Sequence, residues 1–149
     1  MNVKTLSSAV GILLIMGGFV FALVGALHAA YALMDLNIPR RLVPADPSVA
    51  QAMANSSLRL SRGKTDMWRT WVGLNFTHSL GLLLFGAVAV WAGARTNTLS
   101  SGIIPALTLF GCIYVAIALR YFFRGPVIGV AVGTGCFASA WLLLLWQRG

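Results

Sequence analysis

TLSSAVGILLIMGGFVFALVGALHAAYALM, residues 5–34, contains no Asp, Glu, Lys or Arg. A helix needs about 20 consecutive, mostly apolar residues to cross the hydrocarbon core of a bilayer, and this run exceeds that. Residues 70–94, 96–119 and 125–147 repeat the pattern. The spacing predicts an all-α protein, a four-helix transmembrane bundle forming one domain over 1–149. Its helices are expected over about 8–34, 71–94, 101–121 and 125–147, with one long cytoplasmic loop over 35–70.

Composition agrees. The chain is 58% hydrophobic and 9% charged, whereas soluble domains carry about 25% charged residues. A signal peptide has an apolar stretch of only about 7–15 residues, so the first run is expected to be a retained helix. Orientation follows from the basic residues near the ends of spans. Arg40, Arg41, Arg59, Arg62, Lys64, Arg69, Arg120 and Arg124 on one side outweigh Lys4, Arg95 and Arg148 on the other. Both termini should therefore be non-cytoplasmic, in the plasma (inner) membrane. Trp68, Trp71 and the aromatics 121–123 mark one interface, and Trp91, Trp141 and Trp146 the other.

The long loop has room for local structure. Asp46 before Pro47 reads as an N-cap and first helical position, and PSVAQAMAN places Val49 and Met53 one turn apart. A short interfacial helix is expected there. Arg40 and Arg41 near the start of the loop, and Arg59, Arg62 and Lys64 in SSLRLSRGK, are candidates for headgroup contacts, worth about 1 kcal/mol each near an anionic surface. Thr65 or Asp66 should cap the second span. Topology and lipid contact account for the net charge of +8, and without aromatic–basic interleaving no nucleic-acid partner is expected.

Gly125, Gly129 and Gly133 recur every fourth residue in the fourth span, a smooth stripe that lets another backbone approach. Ala22, Ala26 and Ala30 form a milder version in the first. Such a stripe serves either packing inside the bundle or a protein partner or homo-oligomer through the fourth helix. Cys112 and Cys136 lie mid-span, equally far in sequence from Arg124, and read as small polarizable core residues.

The most informative stretch is LHAAYALMD, residues 27–35. His28, Tyr31 and Asp35 fall on one helical stripe near the end of the first span. WVGLNFTHS brings Asn75 and His78 to the same level on the second span, and Arg120 with Tyr121 closes the third. Ionisable groups inside a span are costly and are functional candidates by default. His28, Tyr31, Asp35, Asn75, His78 and Arg120 are thus the candidate residues of a polar pocket on the cytoplasmic side.

Three readings follow. The first is an accessory or structural subunit packed against a larger membrane complex. The second is a lipid- or isoprenoid-binding protein or enzyme, with a histidine moving a proton, Asp35 orienting an imidazole, and Arg40 with Arg120 holding an anionic headgroup. The third is an electron carrier with haem b between His28 and His78; two histidines are too few for zinc, and no other cofactor is expected. Ser79 beside His78 makes no triad, because adjacent helical residues do not face each other, and no catalytic residue is assigned.

The segments LHAAYALMDLNIPRRLVPADPSV and MWRTWVGLNFTHSLGLLLFG resemble a family of small bacterial four-helix integral membrane proteins with no assigned function. A helix ending in Asp, a Pro-Arg loop and a Trp-led second helix are also faintly similar to the EXPERA domain. That likeness implies a compact helical bundle with a lipid pocket near Asp35 and His78. EXPERA pockets rely on an acidic residue in the second helix, where this chain has Asn75 and His78.

Overall fold

The computed structural model describes residues 3–96 and 102–148, with side chains over 5–96 and 102–146. The topological weight of Lys4 and Arg148, and the expected start of the third span at 101, fall outside these. The described chain forms α1 (Val3–Asn37), α2 (Pro47–Asn55), α3 (Met67–Ala94), α4 (Ile103–Tyr121) and α5 (Arg124–Arg148), with a 3-10 turn at Arg59–Ser61. Among the described residues there is no strand, and Ser57 and Asp66 make an isolated antiparallel bridge. α1, α3, α4 and α5 are long and apolar enough to cross a membrane.

α1, α3 and α5 outrun the hydropathic spans because hydropathy marks where lipid would end, not where helical hydrogen bonding ends. α1 has 35 residues, about 52 Å at about 1.5 Å per residue, against a hydrocarbon core of about 30 Å. α3 starts at Met67, ahead of Trp71, because Asp66 Oδ1 accepts the Arg69 N–H at 2.7 Å. A carboxylate there satisfies an orphan donor and suits the positive end of the helix dipole.

α2 is capped in the same way. Asp46 accepts the Ser48 N–H at 2.8 Å, and Pro47 occupies the first turn, where no N–H is needed. No residue of α2 is buried within the protein. Hydrogen bonds from the Ser48 backbone N–H and hydroxyl hold the Asp46 carboxyl below the usual range. Its folded pKa is depressed, so the cap contributes above the unfolded carboxylate value and is lost as pH falls through the lower folded value. Hydrogen exchange at Ser48 and Val49, corrected for intrinsic rates, is therefore expected to accelerate below about pH 4. In Asp46→Ala it should be fast throughout; an unchanged profile would remove the cap.

The packing divides into two units, Met1–Val24 with Leu82–Gly149, and Gly25–Gly81. In the first, Phe21, Phe85 and Phe137 form an aromatic centre, with ring centroids 4.8 to 5.7 Å apart, and Phe110 and Tyr114 extend it from α4. Leu6, Val10, Leu14, Leu107 and Ala140 continue the core. Close approach depends on glycine. A Cβ on Gly18 would lie 2.6 Å from the Gly86 carbonyl oxygen, and one on Gly11 would lie 2.7 Å from that of Gly93. These reciprocal pairs run α1 antiparallel to α3 within this unit. α4 meets α5 where Gly111 faces Thr134.

The stripe on α5 is filled from inside the same unit. A Cβ on Gly133 would strike the Phe21 ring, and one on Gly129 would meet Val24 of α1, whereas Gly125 faces only Phe123. Cys112 is exposed and Cys136 half-buried, both as free thiols, so Cys112 is not the core residue expected from its mid-span position. The outward surface is apolar: Phe19, Leu109, Ile128 and Leu142 are all exposed. In water such a surface would be an aggregation liability; against lipid it is the low-energy one.

In the second unit, the last part of α1 and the first part of α3 are joined by residues 38–66. Met67 N–H donates to the Ser56 carbonyl at 2.9 Å, and Leu58 N–H to the Thr65 carbonyl at 3.1 Å, which closes residues 57–66 into a loop at the head of α3.

Candidate functional site

Asp35 lies in the last turn of α1, where a carboxylate opposes the helix dipole and that turn holds no basic residue. The chain answers by folding back over it. Asp35 Oδ1 accepts the N–H groups of Arg40 at 2.9 Å and Arg41 at 3.1 Å, and Oδ2 accepts those of Leu42 at 2.6 Å and Arg41 at 3.2 Å. Charge-assisted bonds of this kind are roughly twice as strong as neutral ones. The carboxylate is therefore the peg on which residues 38–42 hang. It does not orient an imidazole, and its contact with Arg40 is through the backbone.

The same segment is tied from the other helix. Trp71 Nε1–H donates to the Leu42 carbonyl at 2.7 Å, and the Arg41 guanidinium lies over the Tyr31 ring, 4.6 Å from its centroid. Tyr31 is thus a platform for Arg41. Of the basic residues expected at headgroups, Arg40, Arg41, Arg59, Arg62 and Lys64 are all exposed.

One turn deeper, His28 Nε2 and Asn75 Oδ1 are 3.0 Å apart, and Asn75 Nδ2 donates to the Trp71 carbonyl at 2.9 Å. With the amide nitrogen committed to Trp71, Oδ1 is left to accept, so Nε2 of His28 carries the proton. The His78 ring stands edge to face with His28, centroids 5.1 Å apart. Ser79 Oγ donates to the Asn75 carbonyl at 2.8 Å, so its hydroxyl bonds within its own helix. A His28–Asn75 double-mutant cycle to alanine, read by unfolding in mild detergent, is expected to give a coupling of about 1 kcal/mol, within the range for hydrogen bonds between membrane helices. Zero coupling would mean that the bond does not form.

Sequence reasoning thus placed His28, Tyr31, Asp35, Asn75 and His78 in one unit. Arg120 belongs to the other, at the end of α4, with its guanidinium 5.7 Å from the Tyr121 centroid. Missed were the backbone of residues 40–42, the Leu42 carbonyl and the Trp71 indole. An acidic residue in the last turn of a helix, with no cation in that turn, was the available signal, because it demands donors from the segment that follows.

A pocket of about 130 Å³ opens beside these groups, lined by Asp35, Pro39, Leu42, Trp68, Trp71 and Asn75 among others. Ligand sites typically measure about 300–1,000 Å³, so this one is too small for a sterol and resembles in scale a cavity that holds one benzene ring. A bis-histidine haem requires the two imidazoles on opposite faces of a porphyrin. Here the rings are in contact and His28 Nε2 is committed to Asn75, so the pair in this arrangement does not fit that group.

No protein-family model, curated protein or solved structure matches this chain. The resemblances drawn from the sequence therefore rest on the quoted residues alone.

Proposed function

We propose that the protein is an accessory subunit of the plasma (inner) membrane, acting by contact with a larger membrane complex and not by catalysis. One observation carries this reading. Among the described residues, no buried side-chain nitrogen or oxygen lacks a hydrogen-bond partner, and His28, Asp35 and Asn75 bond to their own scaffold. A catalytic base or nucleophile needs a lone pair aimed at substrate; Asp35 spends both oxygens on backbone N–H groups. In this reading both termini are non-cytoplasmic and residues 38–66 are cytoplasmic, because the basic residues concentrate there. α2 lies along the membrane surface with Val49 and Met53 toward lipid. Because Gly129 and Gly133 already serve α1, a partner would meet the outward side of α5 at Ile128, Val132 and Leu142, which are exposed.

Native mass spectrometry after gentle extraction from the source membrane tests this directly. A second polypeptide in fixed stoichiometry, lost when Ile128 and Val132 are both changed to tryptophan, supports the reading. A bare chain overturns it. A second reading rests on the pocket beside Trp68 and Trp71, which would take the end of an acyl or isoprenoid chain; a defined lipid mass lost in Trp68→Ala would favour it.

A further inference from the structure

Residues 57–66 form an ordered loop that presents a leucine to solvent. Its base is the Ser57–Asp66 bridge. Inside, Ser61 Oγ donates to the Leu58 carbonyl at 2.8 Å and accepts the Thr65 N–H at 3.3 Å. Arg62 and Gly63, with φ of 51° and 83°, turn the chain back through two consecutive left-handed residues. Backbone strain at Arg62 is tolerated only where the surroundings fix it. The loop is therefore built, and what it holds out is Leu60, 91% exposed and more so than any other large apolar side chain of the described chain.

Around Leu60 stand Arg59, Arg62 and Lys64, all exposed, and no Asp or Glu occurs from 47 to 65. Asp66, at the base, is occupied by the Arg69 N–H and lies 3.4 Å from the Arg69 side chain. An apolar side chain ringed by cations has the chemistry of a group seated at the boundary of acyl chains and headgroups, with the cations among phosphates. Geometry puts that boundary within reach. Leu60 is three residues from Ser57, so at about 3.3–3.6 Å per residue it lies within about 11 Å of the bridge, and Asp66 of that bridge immediately precedes α3. The start of α3 is also the start of a candidate span, Met67–Ala94.

We propose that the 57–66 loop is an interfacial anchor that seats Leu60 in the anionic membrane leaflet at the head of α3, with Arg59, Arg62 and Lys64 on lipid phosphates. The proposal rests on the membrane reading of the four long helices and is independent of any partner subunit. It makes the loop a sensor of lipid charge: the leaflet must supply anions for the leucine to stay seated.

The test uses the full chain carrying Cys112→Ala, Cys136→Ala and Leu60→Cys, labelled at position 60 with an environment-sensitive fluorophore. The protein is reconstituted in nanodiscs of phosphatidylcholine with or without phosphatidylglycerol, incorporation being checked independently by tryptophan quenching from the lipid. With phosphatidylglycerol the label is expected to emit at shorter wavelength, to be quenched by a nitroxide on the lipid near the headgroup, and to resist aqueous iodide. Each change of Arg59, Arg62 or Lys64 to Gln should weaken seating about fivefold, the worth of one basic residue at an anionic surface. Aqueous emission in both lipids overturns the proposal. So does equal protection in the two lipids that the Gln changes leave intact, because the contact would then be apolar only. Protection that appears only on adding an acidic protein would assign the loop to a protein partner and overturn it as well.

Discussion

Gly18→Ala is expected to destabilise the protein by about 3 kcal/mol, the upper part of the range for overpacking a tight core. The added methyl would lie 2.6 Å from the Gly86 carbonyl oxygen and 2.8 Å from the Val90 nitrogen. Both are backbone atoms of a helix, so no side chain can swing away; α1 and α3 must separate along the stretch where they touch. The contact is mutual, since a Cβ on Gly86 would lie 2.5 Å from the Gly18 carbonyl oxygen. Without a hydrophobic driving force between helices in lipid, close approach of this kind supplies much of the association energy. Gly73→Ala provides the comparison. A Cβ there meets nothing within 4 Å, so alanine should be neutral or stabilising by up to about 1 kcal/mol through helix propensity. Unfolding of both variants in the same mild detergent measures the difference. Equal stabilities would dismiss the glycine contact between α1 and α3.

The second large effect is expected at Asp35. Asp35→Ala removes the acceptor for the N–H groups of Arg40, Arg41 and Leu42. Bonds to a charged group contribute about 1.5–3 kcal/mol each when buried, but residues 40 and 41 are exposed and water can replace part of that. A net local loss of about 2–3 kcal/mol is expected, and amide exchange at 40–42 should rise by about 30- to 160-fold if these amides open locally. Trp71 reports the same event, because its indole is tied to the Leu42 carbonyl and should move to a wetter environment. Asp35→Asn should fall between, since an amide offers one acceptor oxygen and points an N–H₂ group at the remaining donors. If exchange at 40–42 is unchanged in Asp35→Ala, the carboxylate does not hold the segment.

The two sites differ in how they appear in the sequence. Asp35 was legible as an anomaly: a charge at the end of a long apolar helix, with the wrong sign for the dipole. The identity of its partners was not, because backbone N–H groups carry no sequence signature and any residues but proline at 40–42 would supply them. Gly18 was illegible. Its partner lies in α3, and the spacing of seven from Gly11 to Gly18, matched by Gly86 to Gly93, acquires meaning only once the helices are paired antiparallel. The four-residue stripe at Gly125, Gly129 and Gly133 was plainer in the sequence, yet which surface fills it depended on where Phe21 and Val24 fall on α1.

By itself the sequence determined that four long helices are apolar enough to cross a membrane, that Asp46 and Pro47 begin α2 and that Thr65 or Asp66 precedes α3, and that His28, Tyr31 and Asp35 share a stripe. Those properties follow from local chemistry: hydropathy over one helix length, a carboxylate ahead of free N–H groups, and the 3.6-residue period. Only the tertiary structure decided that Tyr31 carries Arg41, that Asp35 is spent on the backbone, that the pocket holds about 130 Å³, and that Leu60 stands outside. The pocket and the Trp71 tie depend on α1 meeting α3 across a long stretch of chain, while the contacts of Asp35, Tyr31 and Leu60 depend on how the following segment folds back, which is governed by shape and by competition for hydrogen-bond partners.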